Sequence, residues 1–209
     1  VSVRDISILV RPGTPEWPGD TPYECRWTWQ IARGASVNVS AITMSPHVGT
    51  HADAPLHVDD RWAGSDSLSL EAFNGDVWVA DVQLCGDQIA FDDLSLPTHG
   101  VQRLLLRTGR SIAGGPFPAA WPCLTPDAAA RLVAGGLRLL GVDAPSVDAR
   151  DSKTLTVHRV LFTGGANILE NLDLGEVAAG AYRLHAYPLR IAGLDAAPVR
   201  AVLEDLSPG

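Results

Sequence analysis

Between Ser45 and Val58 the chain reads Ser-Pro-His-Val-Gly-Thr-His-Ala-Asp-Ala-Pro-Leu-His-Val, which gathers His47, His51, Asp53 and His57 into one short stretch. The His47-x3-His51 spacing would stack two imidazoles one turn apart on a helix, as in zinc peptidases. Pro46, Gly49 and Pro55 oppose that helix: each proline removes a backbone donor, and glycine weakens a helix interior. An extended path fits better. In a strand, side chains two apart share a face, so His47, His51 and Asp53 point the same way, and Gly49 leaves room between them. His57 has the same parity, but Pro55 bends the chain before it, so it approaches from another angle and suits a separate role. Two imidazoles and a carboxylate are a donor set for zinc, manganese or iron. The competing reading is a group of surface histidines, since His-x3-His alone is a weak signal. Asp53 and His57, added on a segment that cannot be an amphipathic helix, favour the metal.

At 209 residues and 46% hydrophobic, the chain suffices for one well-buried core and is short for two, so residues 1–209 read as a single domain. A formal net charge of -8 and a pI near 5.1 disfavour a polyanion, and no Lys or Arg run could form a nucleic-acid stripe. A cation or a small molecule is the favoured partner. Cys25, Cys85 and Cys123 lack the paired spacing of a zinc ribbon or redox motif, so reduced, mostly buried thiols are expected rather than disulfides. Val1-Ser-Val-Arg-Asp lacks a signal-peptide profile and no apolar run reaches the length of a membrane span, which points to the cytoplasm.

Along the chain, Ile6 to Val10 reads as a strand that enters a Pro- and Gly-rich loop, residues 11–22, around Trp17. In such a loop Trp17 is either a plug on the core or an aromatic platform for a ligand, and composition favours the plug. Trp27, Trp29 and Ile31, then Val37, Val39, Ala41 and Thr43, alternate with polar residues and predict two strands around Arg33-Gly34, the second feeding the histidine segment. Asp66 to Gly75 reads as a short capped helix, and Asp76 to Leu84, apolar on both faces, as an interior strand. Val101 to Arg107 and Leu137 to Val142 are strand-like. Between them Thr125 caps a helix that begins at Pro126 and stops at Gly135 or Gly136, which suggests one crossover unit. Asp143 reads as a loop cap. Asp151 to Phe162 reads as a second helix carrying His158, ended by Gly164-Gly165. Glu170 follows in Ile168-Leu-Glu-Asn-Leu and, if that segment is buried, needs a cation. Tyr182 to Ile191 and Pro198 to Leu203 read as strands, with turns at Ala178 to Ala181 and Asp195 to Pro198. The class is α/β: a mixed sheet with a few helices.

These residues carry a resemblance that covers nearly the whole chain. Thr14-Pro-Glu-Trp-Pro-Gly-Asp-Thr-Pro, Ser45 to His57, Gly141-Val-Asp-Ala-Pro-Ser-Val-Asp, Asp151-Ser-Lys-Thr with His158, Ile168-Leu-Glu and Leu194-Asp-Ala-Ala-Pro-Val-Arg-Ala together resemble the bacterial metal-dependent kynurenine formamidases, within the wider cyclase-like metal hydrolases. The central motif marks the broad family, and the Trp17 loop with Ser152-Lys-Thr narrows it. The resemblance implies a swivelling β/β/α domain and a homodimer. It also implies two zinc ions per subunit, one held by His47 and His51 and the other by His158, with Asp53 and Glu170 bridging. His57 becomes the general acid or base and Trp17 the substrate contact, which reverses the plug reading. Thr163-Gly-Gly-Ala-Asn is less bulky and less basic than that family leads one to expect, which bears on pocket shape.

The implied reaction is hydrolysis of N-formyl-L-kynurenine to L-kynurenine and formate in tryptophan breakdown. A divalent cation lowers the pKa of bound water from 15.7 towards about 7, and a second can polarise the formyl oxygen. An unligated His57 would pass a proton to the leaving aryl amine. Two rivals stand beside this: another small amide or lactam such as isatin on the same site, and a non-catalytic zinc domain. A structural zinc site closes its shell around one ion with cysteines or four protein ligands, which bridging carboxylates do not do.

Overall fold

Leu104, Leu105 and Leu106 are all buried, and so are Leu139 and Leu140, because the strands they occupy are covered on both faces. The computed structural model of the chain describes residues 2–83, 86–98 and 100–206. In chain order its strands are β1 (Val3–Asp5), β2 (Glu24–Trp29), β3 (Val39–Thr43), β4 (His51–Asp53), β5 (Asn74–Asp81), β6 (Gln88–Ile89) and β7 (Arg103–Arg107). They continue with β8 (Cys123–Leu124), β9 (Leu139–Val142), β10 (Asn167–Glu170), β11 (Gly180–His185), β12 (Ala196–Pro198) and β13 (Val202–Asp205); the helices are α1 (Pro126–Ala134) and α2 (Thr156–Thr163). Nine strands form one mixed sheet in the order β1-β13-β11-β5-β7-β9-β10-β4-β12. Its centre, β5-β7-β9-β10, is parallel and its flanks are antiparallel.

Alternation sorts the central side chains onto two cores. Leu104, Leu106, Leu140, Val142 and Ile168 pack towards α1 and α2, whereas Leu105, Leu139 and Leu169 join the opposite cluster. That second cluster holds Ala52 from β4 and Leu203 from β13, strands near opposite edges, so the sheet curls around it. Thr125 caps α1 by accepting the Ala128 N–H at 3.1 Å, Pro126 opens it and Gly135 ends it, as the sequence predicts. α2 joins parallel strands β9 and β10, so among the described residues there are two helical crossover units rather than one. The two helices touch closely at Gly164, where a Cβ would lie 2.1 Å from Val133 Cγ1. The glycine at the start of the unusual Thr163-Gly-Gly-Ala-Asn segment therefore serves helix packing.

Several sequence boundaries move. The first strand is Val3–Asp5; of residues 6–10, only Ser7 bridges, to Leu172. Asp66 to Gly75 forms two 3-10 turns, Ser65–Ser67 and Leu70–Phe73, and Gly75 belongs to β5, which is interior as expected up to Asp81; Leu84 lies outside the described residues. α2 begins at Thr156, not Asp151. Tyr182 to Ile191 is a strand only to His185, and the C-terminal strand is two: β12 beside β4 and β13 at the far side of the sheet. β2 and β3 do pair, but as a separate ribbon whose Trp27, Trp29 and Ile42 are exposed. Cys25 is exposed as well, contrary to expectation, and Cys85 lies outside the described residues. Among the described residues no helix is long and apolar enough to cross a membrane.

Candidate metal centre

β4 lies between β10 and β12, with Glu170 directly opposite His51 and Ile168 opposite Asp53. Cross-strand partners share a face, so His51, Asp53 and Glu170 all project towards the α2 side of the sheet. α2 brings His158 against them. His47 does not lie on the strand: Ser45 to Thr50 is a turn, with Val48 N–H bonded to the Ser45 carbonyl and Gly49 at φ +74°. The extended reading thus holds for residues 51–53, and the turn carries His47 round to the same place. His57 sits on a 3-10 turn, Pro55–His57, and reaches the centre from the side, as Pro55 predicts.

Each imidazole has one nitrogen tied back to the protein and the other directed inward. His51 Nδ1 is 2.9 Å from the Gly49 carbonyl, His158 Nδ1 is 2.7 Å from Asp148 Oδ2, and His47 Nε2 is 2.9 Å from Asp195 Oδ2. Since a carbonyl or carboxylate only accepts, those nitrogens carry the protons. The inward atoms then crowd together. His47 Nδ1 and His51 Nε2 are 3.1 Å apart and lie 3.2 and 3.3 Å from Asp53 Oδ1, while His158 Nε2 lies 3.2 Å from Asp53 Oδ2 and 3.4 Å from Glu170 Oε1. Asp53 Oδ1 is buried and has no hydrogen-bond partner. Lone pairs facing one another in a buried site need a cation, and an N/O donor set of this kind fits zinc or a similar divalent ion.

The ionisation equilibria carry the same demand. Burial works against charge on His47 and His51, but carboxylates outweigh it: Asp195 and Asp53 push His47 up to about 10, and Asp53 with Glu170 pushes His51 up to about 9. Burial likewise opposes ionisation of Asp53, yet His158, His47 and His51 hold its carboxyl well below the usual range.

Asp148 was not singled out from the sequence. Besides the His158 ring, its carboxylate accepts the N–H groups of Val157 and His158 at 3.1 and 3.0 Å, so it caps α2 and fixes the ring in one contact set. Asp195, read as part of a turn, instead immediately precedes β12 and touches His47 and His57. Asp143 is a cap, accepting Thr108 and Gly109 N–H groups at 2.8 and 3.0 Å.

Over the centre lies a cavity of about 750 Å³, lined by Trp17, Phe117, His57, Leu155, Asn171 and Asp195 among others. Trp17 is half-exposed and meets Phe117 and Trp121 edge-on, with ring centroids 5.4 and 5.9 Å apart, so it packs as an aromatic wall with one face open to the cavity. Leu155 and Asn171, at φ 47° and 56°, are the non-glycine residues in the left-handed region among the described residues, and both line this cavity. Such strain persists where surrounding structure fixes a functional geometry.

Comparison with known proteins agrees with this geometry. Residues 4–149 match the family model described as "Putative cyclase". The chain is 43% identical over 207 residues to a kynurenine formamidase of Paracidovorax citrulli, covering 95% of this chain and 94% of the relative. It is 41% identical over 203 residues to a kynurenine formamidase of Bordetella avium, covering 97% of each. A solved structure described as a potential metal-dependent hydrolase with cyclase activity superposes with a TM-score of 0.85 at 29% identity over 99% of both chains. Fold and centre together define a hydrolase whose His and Asp groups could hold a metal ion. The chain belongs to the cyclase family, with kynurenine formamidases as full-length relatives.

Proposed function

We propose that this hydrolase cleaves N-formyl-L-kynurenine to L-kynurenine and formate, with two zinc ions per subunit. His47 and His51 hold one ion, His158 the other, and Asp53 and Glu170 bridge them. The observation that carries this reading is the division of the carboxylates. Asp53 turns Oδ1 to His47 and His51 and Oδ2 to His158, and Glu170 turns Oε2 to His51 at 3.6 Å and Oε1 to His158 at 3.4 Å. Two such carboxylates serve two positions, whereas a structural site closes on one. When bound, the metal supplies Lewis acidity, lowering the pKa of water and polarising the formyl oxygen.

The chain's own residues supply the rest. Trp17 and Phe117 hold the substrate's aryl ring against the cavity wall, which orients the formamide towards the centre. Among the described residues lining the cavity there is no lysine or arginine. His57 Nδ1 is engaged by Asp195, which leaves Nε2 for proton transfer. Nε2 takes a proton from the attacking water and returns it to the aryl nitrogen as the C–N bond breaks and formate forms.

Chelation should abolish turnover and zinc should restore it; full activity in metal-free protein would defeat the reading. His57→Ala should keep its zinc and lose about 10²- to 10⁴-fold in kcat. A panel including isatin tests the substrate, and only trace turnover of N-formyl-L-kynurenine would transfer the assignment to another amide or lactam. We further propose a cytoplasmic homodimer: the exposed free thiol of Cys25 suits a reducing compartment, and the exposed apolar side chains of the β2–β3 ribbon support self-association.

A further inference from the structure

Asp195 makes two contacts with one atom. Its Oδ2 lies 2.9 Å from His47 Nε2 and 3.2 Å from His57 Nδ1, and the two imidazoles stand with ring centroids 4.6 Å apart. A carboxylate accepts and never donates, so both of these nitrogens carry hydrogen. The consequence holds for each ring in its neutral or metal-bound form. His47 is left with a lone pair on Nδ1, the nitrogen facing His51 and Asp53, and His57 is left with a lone pair on Nε2.

The backbone on either side of this carboxylate is hydrogen-bonded to the segment that holds the metal-facing residues. The Asp195 carbonyl accepts the Ala54 N–H at 2.8 Å, the preceding Leu194 carbonyl accepts the Ser65 N–H at 2.9 Å, and the next residue, Ala196, pairs with Asp53 across β12 and β4. The segment that carries Asp195 is thus registered directly against the segment that carries Asp53 and, four residues on, His57.

We propose that Asp195 is a positioning residue that clamps a metal-binding imidazole and the proton-transfer imidazole together, fixing His47 as the Nε2–H tautomer and His57 as the Nδ1–H tautomer. The clamp rests on the reading of His57 as the proton-transfer group. Without it, His57 would divide between tautomers and rotate, and the nitrogen available to substrate would be protonated in part of the population.

The test uses zinc-loaded protein with ¹⁵N-labelled histidine, since ring ¹⁵N shifts distinguish the tautomers, together with kcat and KM at saturating zinc. In wild-type protein at pH 8, His57 should be Nδ1–H. Asp195→Ala should mix the His57 tautomers and lower kcat by about 10- to 100-fold with KM changed less than threefold. Asp195→Asn, whose amide oxygen can accept from both rings, should recover most of the tautomer purity and of kcat, and it serves as the test if the alanine variant fails to fold. Wild-type His57 protonated on Nε2, or an Asp195→Ala protein with an unchanged His57 tautomer and kcat within threefold, overturns the proposal. Wild-type protein that holds the tautomer but ignores N-formyl-L-kynurenine keeps the clamp and removes the substrate assignment.

Discussion

In chelator-stripped protein, protons compete for the lone pairs that a divalent cation would use. His47 and His51 have folded-state pKa values raised to about 10 and about 9, above the unfolded value of about 6.5. A raised histidine contributes stability that is fully present below about 6.5 and is lost as pH climbs through the folded value. The melting temperature of stripped protein should therefore fall between pH 6.5 and 10, and saturating zinc should flatten that decline. A melting temperature that rises across this range would contradict the ion pairs. By the same linkage, zinc binding at pH 7.5 should release protons, visible as a buffer-dependent heat in titration calorimetry. Asp148→Asn tests the support behind one ligand: losing the carboxylate on His158 Nδ1 should weaken zinc binding about 10- to 100-fold, measured by competition with a chelator.

α2 carries His158 to the sheet, and its closeness to α1 depends on the absence of one side chain. Gly164→Ala would bring a Cβ to 2.1 Å from Val133 Cγ1, and overpacking of that kind costs about 1–3 kcal/mol. Its melting temperature should drop by about 2–10 °C, and Val133→Ala in the same protein should recover part of the loss. An unchanged melting temperature would mean that the helices separate freely. This glycine lies in the segment that looked anomalous as sequence, yet residues 163–167 do not line the cavity over the centre. α2 also shows why its start was misplaced. Asp151 and Ser152 are polar and cap-like, but Asp148 provides the cap for Val157 and His158 from a preceding loop, a contact that spans the strained Leu155.

For the molecule as a whole, the β2–β3 ribbon is one apolar surface left without a cover among the described residues. Trp27, Trp29 and Ile42 are 55%, 58% and 60% exposed. A double variant, Trp27→Ser with Ile42→Glu, should shift a dimer to a monomer in light scattering while zinc content stays constant; a wild-type monomer would remove the homodimer. The ribbon also marks the limit of pattern reading. Alternation at Trp27, Trp29, Val39 and Ala41 correctly specifies two paired strands, but the register shift between Trp27 and Trp29 sets Trp27 opposite Ser40 and Trp29 opposite Val39, so period alone gives neither the shared face nor what covers it. The sequence by itself determined β5, β7 and β9 of the parallel centre, the Thr125-capped helix and the grouping of His47, His51, Asp53 and His57 on one short segment, because periodicity, capping and spacing are local; β10 was not legible as a strand. Tertiary structure decided the rest: that a turn delivers His47, that Glu170 stands opposite His51, and that Asp148 and Asp195 fix the rings. Those contacts join residues as far apart as 148 positions, as between His47 and Asp195, and only the register of β4 between β10 and β12 brings them together.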